Sequence, residues 1–115
     1  MTITAFAQKI KMAPSEITFQ NTMDVIEAYY TFSPTSFVNG NIKNEAGQNS
    51  GSCKIFSFAK LQKLNKEETL NCFGDYYRSH VLGNPKGEDH QNIRSFMKKG
   101  WEGISFSNEV LCLKT

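Results

Sequence analysis

Apolar residues fall at helical spacing from the start of the chain. Ile3, Phe6, Ala7 and Ile10 predict a helix over Thr2–Lys11, with Thr2 placed to cap it. Ala13-Pro14-Ser15 ends that helix, because a residue before proline disfavours helical ψ. Ile17-Thr18-Phe19 alternates, which suits a short strand or an extended approach to the next element. A second helix is expected over roughly Gln20–Tyr30, with Met23, Ile26 and Tyr30 on one face. Its exit, Thr31 to Thr35, reads as a turn.

The pattern then changes. Phe37-Val38-Asn39-Gly40-Asn41-Ile42 sets an Asn-Gly pair between apolar residues, a hairpin signal. Lys43 to Ser52 follows with almost nothing to bury, so it is either a surface excursion or a site-forming loop. Cys53 to Leu64 is apolar nearly all round and predicts a central helix. Asn65 and Glu68 have the spacing of a capping box, and Leu70, Phe73, Gly74, Tyr77 and Val81 trace one face over the next three turns. Gly83 fits a position just past that helix, and Pro85 blocks its continuation. Asp89 is the expected cap of a helix over His90–Lys99, with Ile93, Phe96 and Met97 on its core face and Gly100 closing it. Gly103–Phe106 and Val110–Leu113 flank Ser107-Asn108-Glu109 and read as a terminal β-hairpin. The sum is an α+β fold, predominantly helical, with about five helices and a small antiparallel sheet.

Composition narrows the function classes. The 115 residues are the size of one domain, expected to span residues 1–115, and suffice for a core without disulfides or a structural metal. Net charge is +2, and the lysines are scattered in small groups, so a nucleic-acid partner is not expected. No apolar run nears the roughly 18 residues of a membrane span, so no membrane partner is expected either. The three cysteines form no CxxC pair, and no signal peptide opens the chain, which favours reduced thiols in a bacterial-type cytoplasm. With two histidines and isolated cysteines, no metal-ligand spacing and no cofactor motif are visible.

Three strings carry a family resemblance. They are Ser33-Pro34-Thr35-Ser36-Phe37-Val38-Asn39-Gly40, Asn44-Glu45-Ala46-Gly47-Gln48-Asn49-Ser50-Gly51-Ser52-Cys53-Lys54, and Asp89 to Met97 leading into Gly100-Trp101-Glu102-Gly103-Ile104. Together they resemble the HopJ family of type III effectors, and the similarity runs from about Ile17 to Phe106. The resemblance implies delivery into host cells by type III secretion, but it brings no reaction and no catalytic residue.

Two functional readings follow from the residues. In the first, the chain is a binding module for a protein or a small anionic ligand. Asn44, Gln48, Asn49, Ser50, Ser52 and Lys54 of the polar loop would supply one wall, and Asn92 and Arg94 of the helix after Asp89 the other. In the second, Cys53 is the nucleophile of a hydrolase or transferase, with His90 as base and Asp89 or Asn92 as orienter. Against each stands a plain packing role: a small buried cysteine, amides bonded to backbone, a capped helix. Trp101, between two glycines and near a strand start, reads as a core plug at a helix–sheet junction.

Overall fold

The computed structural model describes residues 1–115. Helix α1 spans Ile3–Met12, with Thr2 accepting a hydrogen bond from the Ala5 amide at 3.0 Å, as the capping reading requires. Helix α2 spans Phe19–Tyr29, and Thr18 and Asn21 exchange the two bonds of a capping box. Ile17-Thr18 is therefore the extended approach to α2, with Phe19 already in the helix.

The stretch after α2 is not a turn. Tyr30–Phe32 forms strand β1, which pairs antiparallel with a C-terminal strand at Leu111–Leu113. Local sequence could not reveal this, because the partner lies about eighty residues away in the chain and a three-residue strand has no periodicity of its own. Strands β2 (Phe37–Asn39) and β3 (Ile42–Asn44) form the expected hairpin. Asn39 opposes Ile42, so the two loop residues are Gly40 and Asn41, and Gly40 has the positive φ of 62° that the first position of a II′ turn demands. After Gly103 the chain forms strands β4 (Ile104–Phe106) and β5 (Leu111–Leu113). Their hydrogen-bonded neighbours lie elsewhere in the chain: β4 extends the hairpin in the order β3-β2-β4, and β5 pairs with β1.

Helix α3 spans Ser50–Leu61 and α4 Lys66–Asn71. The capping box at the start of α4 is present as read, with Asn65 and Glu68 bonded reciprocally at 2.8 and 2.9 Å. Glu68 also meets Lys11 of α1 at 2.9 Å. The single three-turn helix expected through Val81 is broken. Gly74 adopts φ 61°, and the chain resumes as a π-helical segment, Tyr76–Val81. The reason is close approach. A Cβ at Gly74 would lie 2.5 Å from the Phe19 amide nitrogen, so the start of α2 seats directly on this glycine. The left-handed glycine thus lies at Gly74 and not at Gly83.

Helix α5 spans Gln91–Lys99 and ends at Gly100, as expected. Its cap differs from the reading: His90 occupies the cap position, and Asp89 lies outside the helix. A short 3₁₀ turn, Gly100–Gly103, links α5 to β4. Trp101 packs edge-on against Phe96 and donates its indole N–H to the Leu64 carbonyl at 3.0 Å, so it is a core plug with its polar atom satisfied.

One apolar cluster runs through the molecule, and Phe56 sits in the middle of it with no exposure. Its ring meets those of Phe37, Phe73 and Phe96, which joins β2, the Gly74 bend and α5 to α3. Arg78 of the π segment reinforces the edge. Its guanidinium donates to the carbonyls of Pro14, Ile17 and Asn71, tying the α1–α2 connection to the segment behind it.

Candidate functional site

The residues that start α3 and α5 share a rare conformation. Asn49 (φ 51°, ψ 46°) and His90 (φ 49°, ψ 49°) are both left-handed, and each occupies the N-cap position of its helix. A non-glycine residue in that region costs roughly 1–2 kcal/mol and persists only where its surroundings hold it. Neither helix receives a side-chain cap. The first amides to be bonded are those of Cys53, to the Asn49 carbonyl, and Arg94, to the His90 carbonyl. The amides of Ser50, Gly51 and Ser52, and of Gln91, Asn92 and Ile93, are left without protein partners. Such amides carry the positive end of the helix dipole.

A buried amide cluster holds the two helix starts in register. Asn44, at the end of β3, and Asn92, in the first turn of α5, face each other as a reciprocal pair. Asn92 Nδ2 donates to Asn44 Oδ1 at 2.9 Å, and Asn44 Nδ2 returns a bond to Asn92 Oδ1 at 3.2 Å. Asn39 Nδ2 donates to both the carbonyl and Oδ1 of Asn92, at 2.8 and 3.0 Å. Asn49 Nδ2 completes the chain with a 2.7 Å bond to Asn44 Oδ1. Asn39, Asn44 and Asn92 are all buried, so these bonds form in low dielectric, where satisfied amides are rigid and unsatisfied ones are costly. Only Asn39 Oδ1 lacks a partner.

Above this cluster lies an open cleft of about 570 Å³. Its polar wall is Asn49, Gly51 and Ser52 on one side and His90, Gln91 and Asn92 on the other. Its apolar wall is Phe19, Ile42, Phe73, Tyr76 and Ile93. Phe19 and Tyr76 meet edge to face at 5.0 Å, an arrangement that depends on the Gly74 bend. Tyr76 also contacts His80 and His90, whose rings lie side by side with Nδ1 of His80 3.3 Å from Nε2 of His90.

The structure brings only some of the sequence candidates to this cleft. Asn49, Ser52, His90 and Asn92 line it, and Asn44 supports it from beneath. Gln48 turns back to accept a bond from the Glu45 amide. Ser50 directs its hydroxyl to the Gly47 carbonyl. Lys54 lies over the Phe32 ring at 4.9 Å. Arg94 is engaged by Asp89, with NH2 2.6 Å from Asp89 Oδ1, and that ion pair holds the Asp89 carboxyl below the usual carboxylate range. Phe19, Phe73, Tyr76, Gly51 and Gln91 were missed. Gly51 and Gln91 fall within the two polar strings but were not singled out, and the aromatic three carry no motif and are gathered by a bend at Gly74 that the sequence does not reveal.

Cys53 and His90 are not hydrogen-bonded to each other. Helix α3 begins at Ser50, three residues earlier than expected, so Cys53 is past the unpaired amides and its own N–H is bonded. The cysteine is 1% exposed, and its thiol meets the Thr35 carbonyl at 3.6 Å. Burial pushes this thiol up, against a smaller opposing pull from its hydrogen bonds. Burial raises Cys72 further still, whereas Cys112 is exposed. An aromatic disulfide reagent is therefore expected to label Cys112 at once. Cys53 and Cys72 should react at least about a hundredfold more slowly, at the rate of local opening. Fast labelling of Cys53 in the folded chain would restore it as a nucleophile.

The molecule is a small α+β domain in which two helix starts without side-chain caps are gathered over a buried asparagine cluster. The HopJ type III effector family model matches residues 3–111, nearly the whole chain, and the chain belongs to that family. A crystal structure of a protein of unknown function, VPA0580, is similar over 99% of this chain and 95% of its own, at 50% identity and a TM-score of 0.97. The search of curated proteins gave no match. No helix is long and apolar enough to cross a membrane.

Proposed function

We propose that this HopJ-family chain acts as a binding module whose cleft takes a small ligand with an anionic head and a flat apolar body. The observation that carries this reading is the convergence of two uncapped helix starts on one cleft. Five of the unpaired amides, those of Gly51, Ser52, Gln91, Asn92 and Ile93, belong to residues that line the cleft, and no residue of formal negative charge does. The opposite wall of Phe19, Phe73 and Tyr76 suits a ring or short apolar body. The asparagine cluster fixes both walls before any ligand arrives, which lowers the ordering cost of binding.

The family name carries the expectation of type III delivery, and on this reading the cleft is the part that would act after delivery. A cysteine hydrolase or transferase finds less support, because Cys53 is buried against Thr35 and has no contact with His90.

Calorimetric titration with phenyl phosphate, and with inorganic phosphate for comparison, tests the proposal. Phenyl phosphate is expected to bind at least about tenfold more tightly, since its ring adds apolar burial to the same anion contacts. Ser52→Asp places a carboxylate in the first turn of α3. That change favours the helix dipole by about 0.5 kcal/mol yet repels an anion in the cleft. Stability should hold or rise while binding falls at least about tenfold. Equal binding by the variant and the parent chain would remove this cleft as the anion site.

A further inference from the structure

The two histidines of the chain are ten residues apart in sequence and meet only in the fold, at the rim of the cleft. We propose that His80 Nδ1 and His90 Nε2 form a site for a divalent transition-metal ion, zinc foremost. The two nitrogens lie 3.3 Å apart. Two imidazoles on one tetrahedral zinc, at the usual zinc–nitrogen length, have their nitrogens about 3.3 Å apart. Binding one ion would replace the direct contact between the two nitrogens, each lone pair turning toward the metal.

The surroundings suit an ion. His80 is exposed, and His90 is reachable at 28% side-chain exposure, so a hydrated ion can enter. His90 is held in its left-handed conformation at the start of α5. Tyr76 packs against both rings, at 5.4 Å from His80 and 5.2 Å from His90. Asp89 supplies an oxygen on the same side, with Oδ2 3.9 Å from His90 Nε2. Arg94 occupies the other oxygen, Oδ1, at 2.6 Å, which orients the carboxylate much as an outer hydrogen bond orients a metal ligand. No cluster of three or more His, Cys, Asp or Glu side chains surrounds one point, so the site is a two-imidazole site with Asp89 within reach. Remaining positions fall to water or to an anion in the adjoining cleft.

This inference does not depend on the proposed ligand and is tested without one. Zinc chloride, and nickel chloride separately, is titrated into the full chain, with the histidine ring signals followed by NMR and the binding heat by calorimetry. Saturable one-to-one zinc binding is expected at micromolar concentrations, with the side-chain signals of both histidines shifted. His80→Gln and His90→Gln should each abolish it, and Asp89→Asn should weaken it several-fold. His80 is exposed, so His80→Gln tests the site in a chain that remains folded, as its circular dichroism would verify. Absence of binding at about a hundredfold excess of zinc, or binding that survives in His80→Gln, would overturn the proposal. In either case the cleft reading stands or falls separately, on phenyl phosphate binding.

Discussion

Replacing Asn92 with leucine should destabilise the chain by about 3–5 kcal/mol, measured by urea unfolding, and should remove the cleft. Asn92 is 6% exposed; its side chain accepts a bond from Asn39 and exchanges a reciprocal pair with Asn44. Leucine matches its size but accepts and donates nothing. The Nδ2 of Asn44 would keep only a long 3.4 Å bond to the Phe37 carbonyl, and the Nδ2 of Asn39 only the Asn92 carbonyl. Each weakened buried group costs about 1–3 kcal/mol, because water cannot reach it in the folded chain. Asn92→Asp sharpens the test by preserving the acceptor and losing the donor to Asn44. It buries a charge among amides, so its loss should be comparable at neutral pH and should shrink as acid protonates the carboxyl. A loss below about 1 kcal/mol for both variants would mean that the cluster is not what holds α5 against the β2–β3 hairpin.

Phe56→Ala should cost about 3–5 kcal/mol in the same measurement. Domains of this size have about 5–15 kcal/mol in total, so the variant approaches the limit of folding at room temperature. The cause is position. Phe56 has no exposure, and its ring lies 4.9 Å from Phe96 and 5.4 Å from Phe73. This one side chain joins α3 to α5, β2 and the Gly74 bend. Truncation leaves a cavity that rigid neighbours on three sides cannot fill. Phe56→Leu keeps most of the volume and should lose markedly less. Equal losses for the two would point to ring-specific contacts and away from cavity formation.

The two variants probe different levels of the structure, and the sequence disclosed those levels unequally. The Phe56 level was legible. A helix apolar on nearly every face has to be central, and α3 is central. The Asn65–Glu68 capping box and the Gly100 helix end were legible for the same reason, since each is a contact within one turn. Strand β5 was legible, but β1 and its pairing with β5 escaped, because three residues have no usable period and the partner is distant in the chain. The break at Gly74 escaped because a glycine on an apolar stripe still permits a helix. Only the approach of Phe19 makes its missing Cβ matter.

The cleft was half visible. The asparagine-rich stretch and the segment after Asp89 attracted notice as polar, unusual strings, and the fold joins them through Asn44 and Asn92. What each residue does there was not visible. Asn49 and His90 take cap positions in left-handed form, displacing Asp89 from the role its side chain suggested. Lys54, Gln48 and Arg94 are engaged elsewhere. The aromatic wall comes from Phe19, Phe73 and Tyr76, which read as core or surface until the Gly74 bend is known. Cys53 attracted attention at the expected helix start; the actual start, three residues earlier, leaves it buried and past the unpaired amides.

The central claim is that the starts of α3 and α5 form one donor-lined site. Backbone amide shifts during a phenyl phosphate titration of the isotope-labelled chain test it most directly. Large, saturable shifts are expected at Ser50, Gly51 and Ser52 together with Gln91, Asn92 and Ile93, all with one dissociation constant. Shifts confined to a single helix start, or scattered over the surface lysines, would contradict it.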